Sequence, residues 1–150
     1  MRVAEPGAVL FACTLNRVRS PMAEGLTKRL FGTRVFVDSC GLRPDDGPPD
    51  PFSVAVMDEV GVDLSAHRPK TFDELEDDSF DRVISLSPEA HHRAGELARG
   101  RAVDIEYWPT LDPTLASGSR ESVLEAYRQV RDSLEARIRT HFGPTLTFGG

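Results

Sequence analysis

The sequence predicts an α/β fold: a four-stranded parallel sheet in the order 2-1-3-4 with helices on both faces, a three-layer sandwich. Apolar runs of strand length alternate with segments of helical period along the chain, the mark of parallel strands joined by right-handed crossovers. The first run, Ala8 to Ala12, is continuously apolar, as a central parallel strand covered on both faces must be. The last, from Val103, alternates Val103, Ile105 and Tyr107 with Asp104 and Glu106, which places it at an edge with one wetter face. The second strand is expected beside the first.

The elements follow in order. After the first strand, Ser20 reads as a cap and Pro21 as the first helical residue, with Met22, Ala23, Leu26 and Leu30 on one face and Gly32 as the stop. Val35 to Ser39 gives the second strand. A Pro/Gly/Asp-rich connection leads to Asp50 and Pro51, which open a helix facing inward through Phe52, Ala55, Val56 and Val60 and ending at Gly61. Arg82 to Leu86 forms the third strand, and Ser87-Pro88 starts the next helix. The stripe Val123, Tyr127, Val130, Leu134 and Ile138 marks a long final helix. With 150 residues the chain suits one domain with a real core, and residues 143–150 read as a frayed tail.

Composition excludes several classes. A net charge of -6 without a Lys/Arg stripe argues against nucleic acid as a partner. Only two cysteines occur, Cys13 and Cys40, with no CxxC pair and no His/Cys cluster at ligand spacing, so neither a disulfide framework nor a metal site is expected. The N-terminus lacks an apolar leader core and the longest apolar run is six residues, so a soluble, cytoplasmic protein without membrane contact is the expectation. The acidic run from Asp73 to Asp78 reads as a solvated face, and His91 and His92 as surface or half-buried residues at the start of an amphipathic helix.

The chemistry concentrates in "VLFACTLNRVRSPMAEG", residues 9–25. A thiol ends the apolar strand, five residues pass, and Arg19-Ser20-Pro21 opens a helix at the carboxyl end of the sheet, where ligands of such folds bind. A loop entering a helix N-terminus turns several backbone N–H groups inward, and with the helix dipole this makes an anion site. Arg19 adds a planar fork matched to two oxygens of a phosphate-like anion. The same positive field favours the thiolate of Cys13. Thr14, Leu15, Asn16, Arg17, Val18 and Ser20 complete the anion loop, and Asn is suited to its middle because it tolerates positive φ. A nucleotide P-loop fits less well, since GxxxxGK[ST] is absent.

These residues resemble the active-site segment of the low-molecular-weight protein tyrosine phosphatases and of the arsenate reductases that share their fold. The resemblance continues through "DSCG" at 38–41, "GVDLSAHRPK" at 61–70 and "LDP" at 111–113, and so covers nearly the whole chain. It implies Cys13 as nucleophile, Arg19 as the clamp on the oxyanion, and Asp112 as general acid. Asn16, Ser20, Ser39 and His67 match the polar group that holds the loop in shape, Ser20 also supporting the thiolate. No cofactor is implied.

On that resemblance the first reading is a phosphomonoester hydrolase of the protein tyrosine phosphatase type. It would act on a phosphorylated protein or small phosphomonoester through a phosphocysteine, with Asp112 first giving a proton to the leaving oxygen and then taking one from water. The chain departs from the phosphatases at Leu15, where they carry glycine, at Val18, where many carry a second cysteine, and at Thr114 and Leu115, where they carry the aromatic wall for tyrosine. Trp108 ahead of the Asp-Pro instead looks like the reductases. A relay through further cysteines is excluded, since none follows Cys40. The alternatives are therefore an arsenate reductase served by a low-molecular-weight thiol or glutaredoxin, and a non-catalytic anion- or phosphopeptide-binding module. Cys40, at the end of the second strand, is either a small buried residue or a partner for a reversible disulfide with Cys13.

Because the phosphatase reading needs Cys13 ionised and Asp112 protonated together, hydrolysis of p-nitrophenyl phosphate should follow a bell-shaped profile with its optimum at about pH 5 to 6. A rate still rising at pH 8 would contradict that pairing.

Overall fold

Strand β1, Ala8–Cys13, is buried from Val9 onward and runs between two parallel neighbours. The computed structural model describes residues 7–76 and 79–142, so the expected tail lies outside the described residues, as do the last two positions of the acidic run. Beside β1 lie β2, Phe36–Gly41, and β3, Arg82–Ser85; β4, Asp104–Tyr107, closes the sheet at the edge, giving the order β2-β1-β3-β4 with every pair parallel. The predicted order and the edge position of the last strand are those observed.

Among the described residues four α-helices cover the faces: α1, Arg19–Phe31; α2, Pro51–Asp58; α3, Pro88–Ala98; and α4, Arg120–Phe142. One face packs Phe11, Met22, Leu26, Val56, Tyr127 and Ile138 into the larger core, joining α1, α2 and α4. The other packs Leu10, Ala12, Cys40, Val83, Ala90 and Ala94 beneath α3. Residues alternate between faces along each strand, so successive β1 side chains serve the two cores in turn.

Three expectations need correction. Helix α1 begins at Arg19, two residues earlier than expected, and Ser20 does not cap it. The Ser20 hydroxyl is turned instead toward Cys13 Sγ at 3.0 Å, a contact that the cap geometry would forbid. Strand β2 runs on to Gly41 rather than ending at Ser39, because Gly41 pairs with Cys13. In α2 the buried residues are Ser53, Val56 and Met57, while Phe52, Ala55 and Val60 are only partly covered. Asp50 caps that helix, accepting from the amides of Phe52 and Ser53 at 2.9 and 3.0 Å, and also accepts from Tyr127 Oη at 3.0 Å. This double anchorage sets the rotation of α2 against α4.

Just past α2, Glu59 accepts hydrogen bonds from Arg128 and Arg131 of α4. The Arg128 bonds, followed by those of Arg131, hold the carboxyl at about 2, well below the usual 4.5. A carboxylate lowered on folding contributes stability above its unfolded value, and loses it as the pH falls toward its folded value. Glu59→Gln is therefore expected to lower the urea midpoint at pH 7, and the gap from wild type should close as the pH falls from 4.5 toward 2. A gap that stays constant over that range would show that the ion pairs do not hold α2 to α4.

Candidate active site

The carboxyl ends of β1 and β3 and the N-termini of α1 and α3 converge on one pocket of about 370 Å³. Cys13 lies at its floor, 2 % exposed, and Thr14, Leu15, Arg17 and Arg19 form much of its wall. Thr14 Oγ1 donates to Ser87 Oγ at 3.1 Å, joining the anion loop to the cap of α3. Two helix N-termini thus direct their positive ends at the same space.

Behind the loop stands a chain of hydrogen bonds. Asn16 is wholly buried and adopts φ 60, the one non-glycine positive φ among the described residues. Its Oδ1 accepts from the Lys70 amide at 3.0 Å, which fixes the orientation of the side-chain amide, since only the oxygen can accept. Its Nδ2 then donates to Ser20 Oγ at 2.8 Å and to Ser39 Oγ at 2.9 Å. Ser20, already accepting from Asn16, has two acceptors within reach of its proton, Cys13 Sγ at 3.0 Å and the Cys40 carbonyl at 3.4 Å. The Asn16 amide also donates to Sγ, at 3.3 Å. His67 Nε2 lies 2.8 Å from the Asn16 carbonyl, so that nitrogen carries the proton. Asn16 and Ser20, counted with the anion loop from the sequence, therefore turn their side chains to its back. Val18 likewise packs its side chain into the core, 5 % exposed.

Arg19 Nη1 donates to the Thr110 carbonyl at 3.0 Å, and its Nη2 lies 3.9 Å from Asp112 Oδ2. Asp112 combines two roles. Its Oδ1 accepts from Thr114 N and Oγ1 at 3.0 and 2.7 Å, capping the short 3-10 turn Pro113–Leu115, while Oδ2 faces Arg19. The turn thus holds the carboxylate at the pocket without consuming the oxygen that faces it.

Cys40 does not join this group. Its register partner is Ala12, and both belong to the core under α3, whereas Cys13 stands opposite Gly41 and belongs to the other face. Both cysteines are free. Burial pushes the Cys40 thiol far up, with the charge of Cys13 adding to the effect. The disulfide between them is a poor fit to the alternation of strand side chains.

Sequence reasoning missed several contributors. Glu24 accepts from Ser39 Oγ at 2.5 Å and fixes that hydroxyl's direction. Gly41 is required by space: a Cβ there would lie 2.7 Å from the Leu15 carbonyl carbon and 2.8 Å from the Asn16 nitrogen. Ser87 and Glu89 line the pocket from α3. A glycine closing a strand beside the loop was a usable signal for Gly41; Glu24, one turn into α1, gave none. Among the described residues no group of three or more His, Cys, Asp or Glu is placed to hold a metal, and no helix is long and apolar enough to cross a membrane.

The family model of the low molecular weight phosphotyrosine protein phosphatases matches residues 8–146. The chain belongs to that family. Within it, the chain is 33 % identical over 130 residues to a glutaredoxin arsenate reductase of Synechocystis, covering 87 % of this chain and 92 % of that protein. It is 30 % identical over 131 residues to an arsenate reductase of Bacillus subtilis, covering 87 % and 91 %. Among solved structures, an arsenate reductase in a phosphate-binding state superposes with a TM-score of 0.72 at 32 % identity, covering 92 % of this chain and 94 % of that one. A low-molecular-weight protein tyrosine phosphatase from T. tengcongensis gives 0.73 at 27 %, covering 89 % and 95 %. An arsenate reductase and a protein tyrosine phosphatase thus share this chain's fold.

Two substitutions test the loop's support. Gly41→Ala should weaken the binding of inorganic phosphate by about tenfold or more, since backbone rather than a flexible side chain must give way. Unchanged affinity by titration calorimetry would separate the strand end from the anion site. Asn16→Gly should be more stable than Asn16→Ala by about 1 kcal/mol although both lose the same hydrogen bonds, because only alanine pays for positive φ. Equal denaturation midpoints would refute that.

Proposed function

We propose that this protein is an arsenate reductase that discharges its product through a thiol supplied from outside the chain. The observation that carries the reading is a single cysteine in an anion cradle whose only fellow, Cys40, sits on the opposite face of the sheet. The relationship to arsenate reductases at 30–33 % identity supports it, and so does the absence of aromatic walls at Thr114 and Leu115.

The geometry suits the following steps. Loop amides and Arg19 hold the tetrahedral anion with arsenic in line with Cys13 Sγ. The thiolate forms an S–As bond while one arsenate oxygen leaves as water, taking a proton from Asp112. An external thiol then attacks Cys13 sulfur, forming a Cys13–S–S–R disulfide; the S–As bonding pair passes to arsenic, which departs as arsenite in the trivalent state. A second thiol reduces the disulfide and restores Cys13. In sum, one arsenate and two thiols give arsenite, one disulfide and water.

The second reading is a phosphomonoesterase, favoured by Asp112 being held at the pocket by its turn through Oδ1, with Oδ2 beside Arg19 where a leaving oxygen would lie. There the same attack would give a phosphocysteine opened by water.

Arsenite formed from arsenate in the presence of thiol should fall by at least about 10³ in Cys13→Ser. Cys40→Ser should stay within about twofold of wild type, since its side chain lies outside the pocket. Cys13-dependent hydrolysis of p-nitrophenyl phosphate without arsenite formation would decide for the phosphatase, and anion binding without either turnover would decide for a binding module.

A further inference from the structure

The described surface exposes four large hydrophobic side chains: Leu15 at 40 %, Phe36 at 53 %, Leu111 at 84 % and Leu115 at 82 %. Phe36 is stacked on Phe80 and so has a partner within the fold, and Leu15 belongs to the wall of the anion pocket. Leu111 and Leu115 have neither use. They flank Asp112 and form the lip of a second groove, of about 420 Å³, between the Asp112 turn and α4, floored by Ala126 and Val130. Of the described residues lining that groove, Asp112 alone is ionisable, and it lines the anion pocket as well. The two spaces therefore meet at the carboxyl group that stands where a leaving oxygen would lie.

Going beyond arsenate, we propose that the site also hydrolyses phosphomonoesters of unbranched aliphatic alcohols, with the phosphate over Cys13 and the chain laid in this groove. The inference rests on the phosphomonoesterase reading, and three observations select that substrate. Charge is partitioned: Arg17, Arg19 and the N-termini of α1 and α3 face the pocket and suit a doubly charged head, while the groove is apolar beyond Asp112 and suits an uncharged tail. Glu89 lines the pocket from α3 and takes no part in the groove. The path is direct, because an ester's chain begins at its leaving oxygen, and that atom lies beside Asp112 at the junction of the two spaces. The lining suits a flexible chain rather than a ring: Leu, Ala, Val and Pro side chains, with no aromatic side chain among them to stack on one. A protein face or a second copy of this chain would also cover the leucines, but neither accounts for a groove that starts at the acid.

The covalent steps balance. The Cys13 thiolate attacks phosphorus and the P–O bond to the chain breaks, its oxygen taking the Asp112 proton to leave as the alcohol. Water, giving a proton to Asp112, then attacks phosphorus; the P–S bond breaks and its electron pair restores the thiolate. In sum, one ester and one water give one alcohol and one phosphate.

The experiment uses n-alkyl phosphates from methyl to hexyl, below the concentrations at which they form micelles. Their affinity for Cys13→Ser is measured by titration calorimetry, and Cys13-dependent phosphate release is measured on wild type. Full burial of a methylene gives about fourfold in affinity, and a groove open on one side about half that energy, or about twofold. Hexyl phosphate should therefore bind about thirtyfold tighter than methyl phosphate, with kcat/KM rising in parallel. In Leu111→Ser/Leu115→Ser and in Ala126→Glu, each combined with Cys13→Ser, that ratio should fall to about threefold or less. A ratio taken within one protein cancels any change at the anion site itself. The leucines are largely exposed and Ala126 is partly so, which should leave the melting temperatures close to that of the parent. Affinity that does not change with chain length overturns the proposal, and so does a rise that both variants leave intact, since the chain then lies elsewhere. Wild type that sediments as a dimer, split by the leucine substitutions, gives the groove to a second copy and overturns it as well. Chain-dependent binding with no phosphate released from these esters or from p-nitrophenyl phosphate overturns the phosphomonoesterase reading and the activity with it. Release from p-nitrophenyl phosphate but from none of the alkyl esters overturns the substrate class alone.

Discussion

The hydrogen bond from the Lys70 amide to Asn16 Oδ1 decides which way the Asn16 amide faces, and the surroundings of the thiol follow from it. With the oxygen held, the NH₂ group must point at Ser20 and Ser39, and Ser20 must accept from it. The Ser20 proton then has Cys13 Sγ, at 3.0 Å, as its nearer acceptor and the Cys40 carbonyl, at 3.4 Å, as its farther one, and Sγ also receives the Asn16 backbone amide. Reversing one amide would set donor against donor at two buried hydroxyls, a costly arrangement in a medium of low dielectric. Because a main-chain group sets the orientation, no side-chain titration can undo it.

The pocket illustrates how little global charge says about a local field. The chain is acidic overall, yet the loop amides, two helix N-termini, Arg19 and Arg17 all face one small space. Arg17 is steadied from outside, donating to the Pro48 carbonyl at 2.7 Å with Asp45 3.6 Å away. Arg19 is steadied from the opposite side by the Thr110 carbonyl. The two guanidinium groups therefore line the pocket from separate anchors, one in the β2–α2 connection and one beyond β4.

Much of the sheet was legible because its signals are local and strong: a continuous apolar run for β1, alternation for β4, and Ser-Pro or Asp-Pro at the starts of α3 and α2. Cys13 and Arg19 could be placed on one loop because a thiol ends an apolar strand and Arg-Ser-Pro opens a helix after five intervening residues, whereas Asp112 entered only through the family resemblance, an Asp-Pro by itself being an ordinary turn. What escaped the sequence was decided by contacts distant along the chain. Ser20 has the composition of a cap and lost that role to a sulfur that only the folded loop brings near. Glu24 acts through Ser39, fifteen residues away. Gly41 matters because of the little space left by Leu15 and Asn16, a reason visible only once the loop is folded against the strand end. Cys40 could be placed on its face only once the register with β1 was known.

The same Lys70–Asn16 bond spans 54 residues. A ribosome therefore releases Cys13 long before it releases the amide that completes its setting. Until that segment arrives, the nascent chain carries the thiol without its hydrogen-bond donors in place. The long reach of one hydrogen bond thus separates in time the making of the cysteine from the completion of its surroundings.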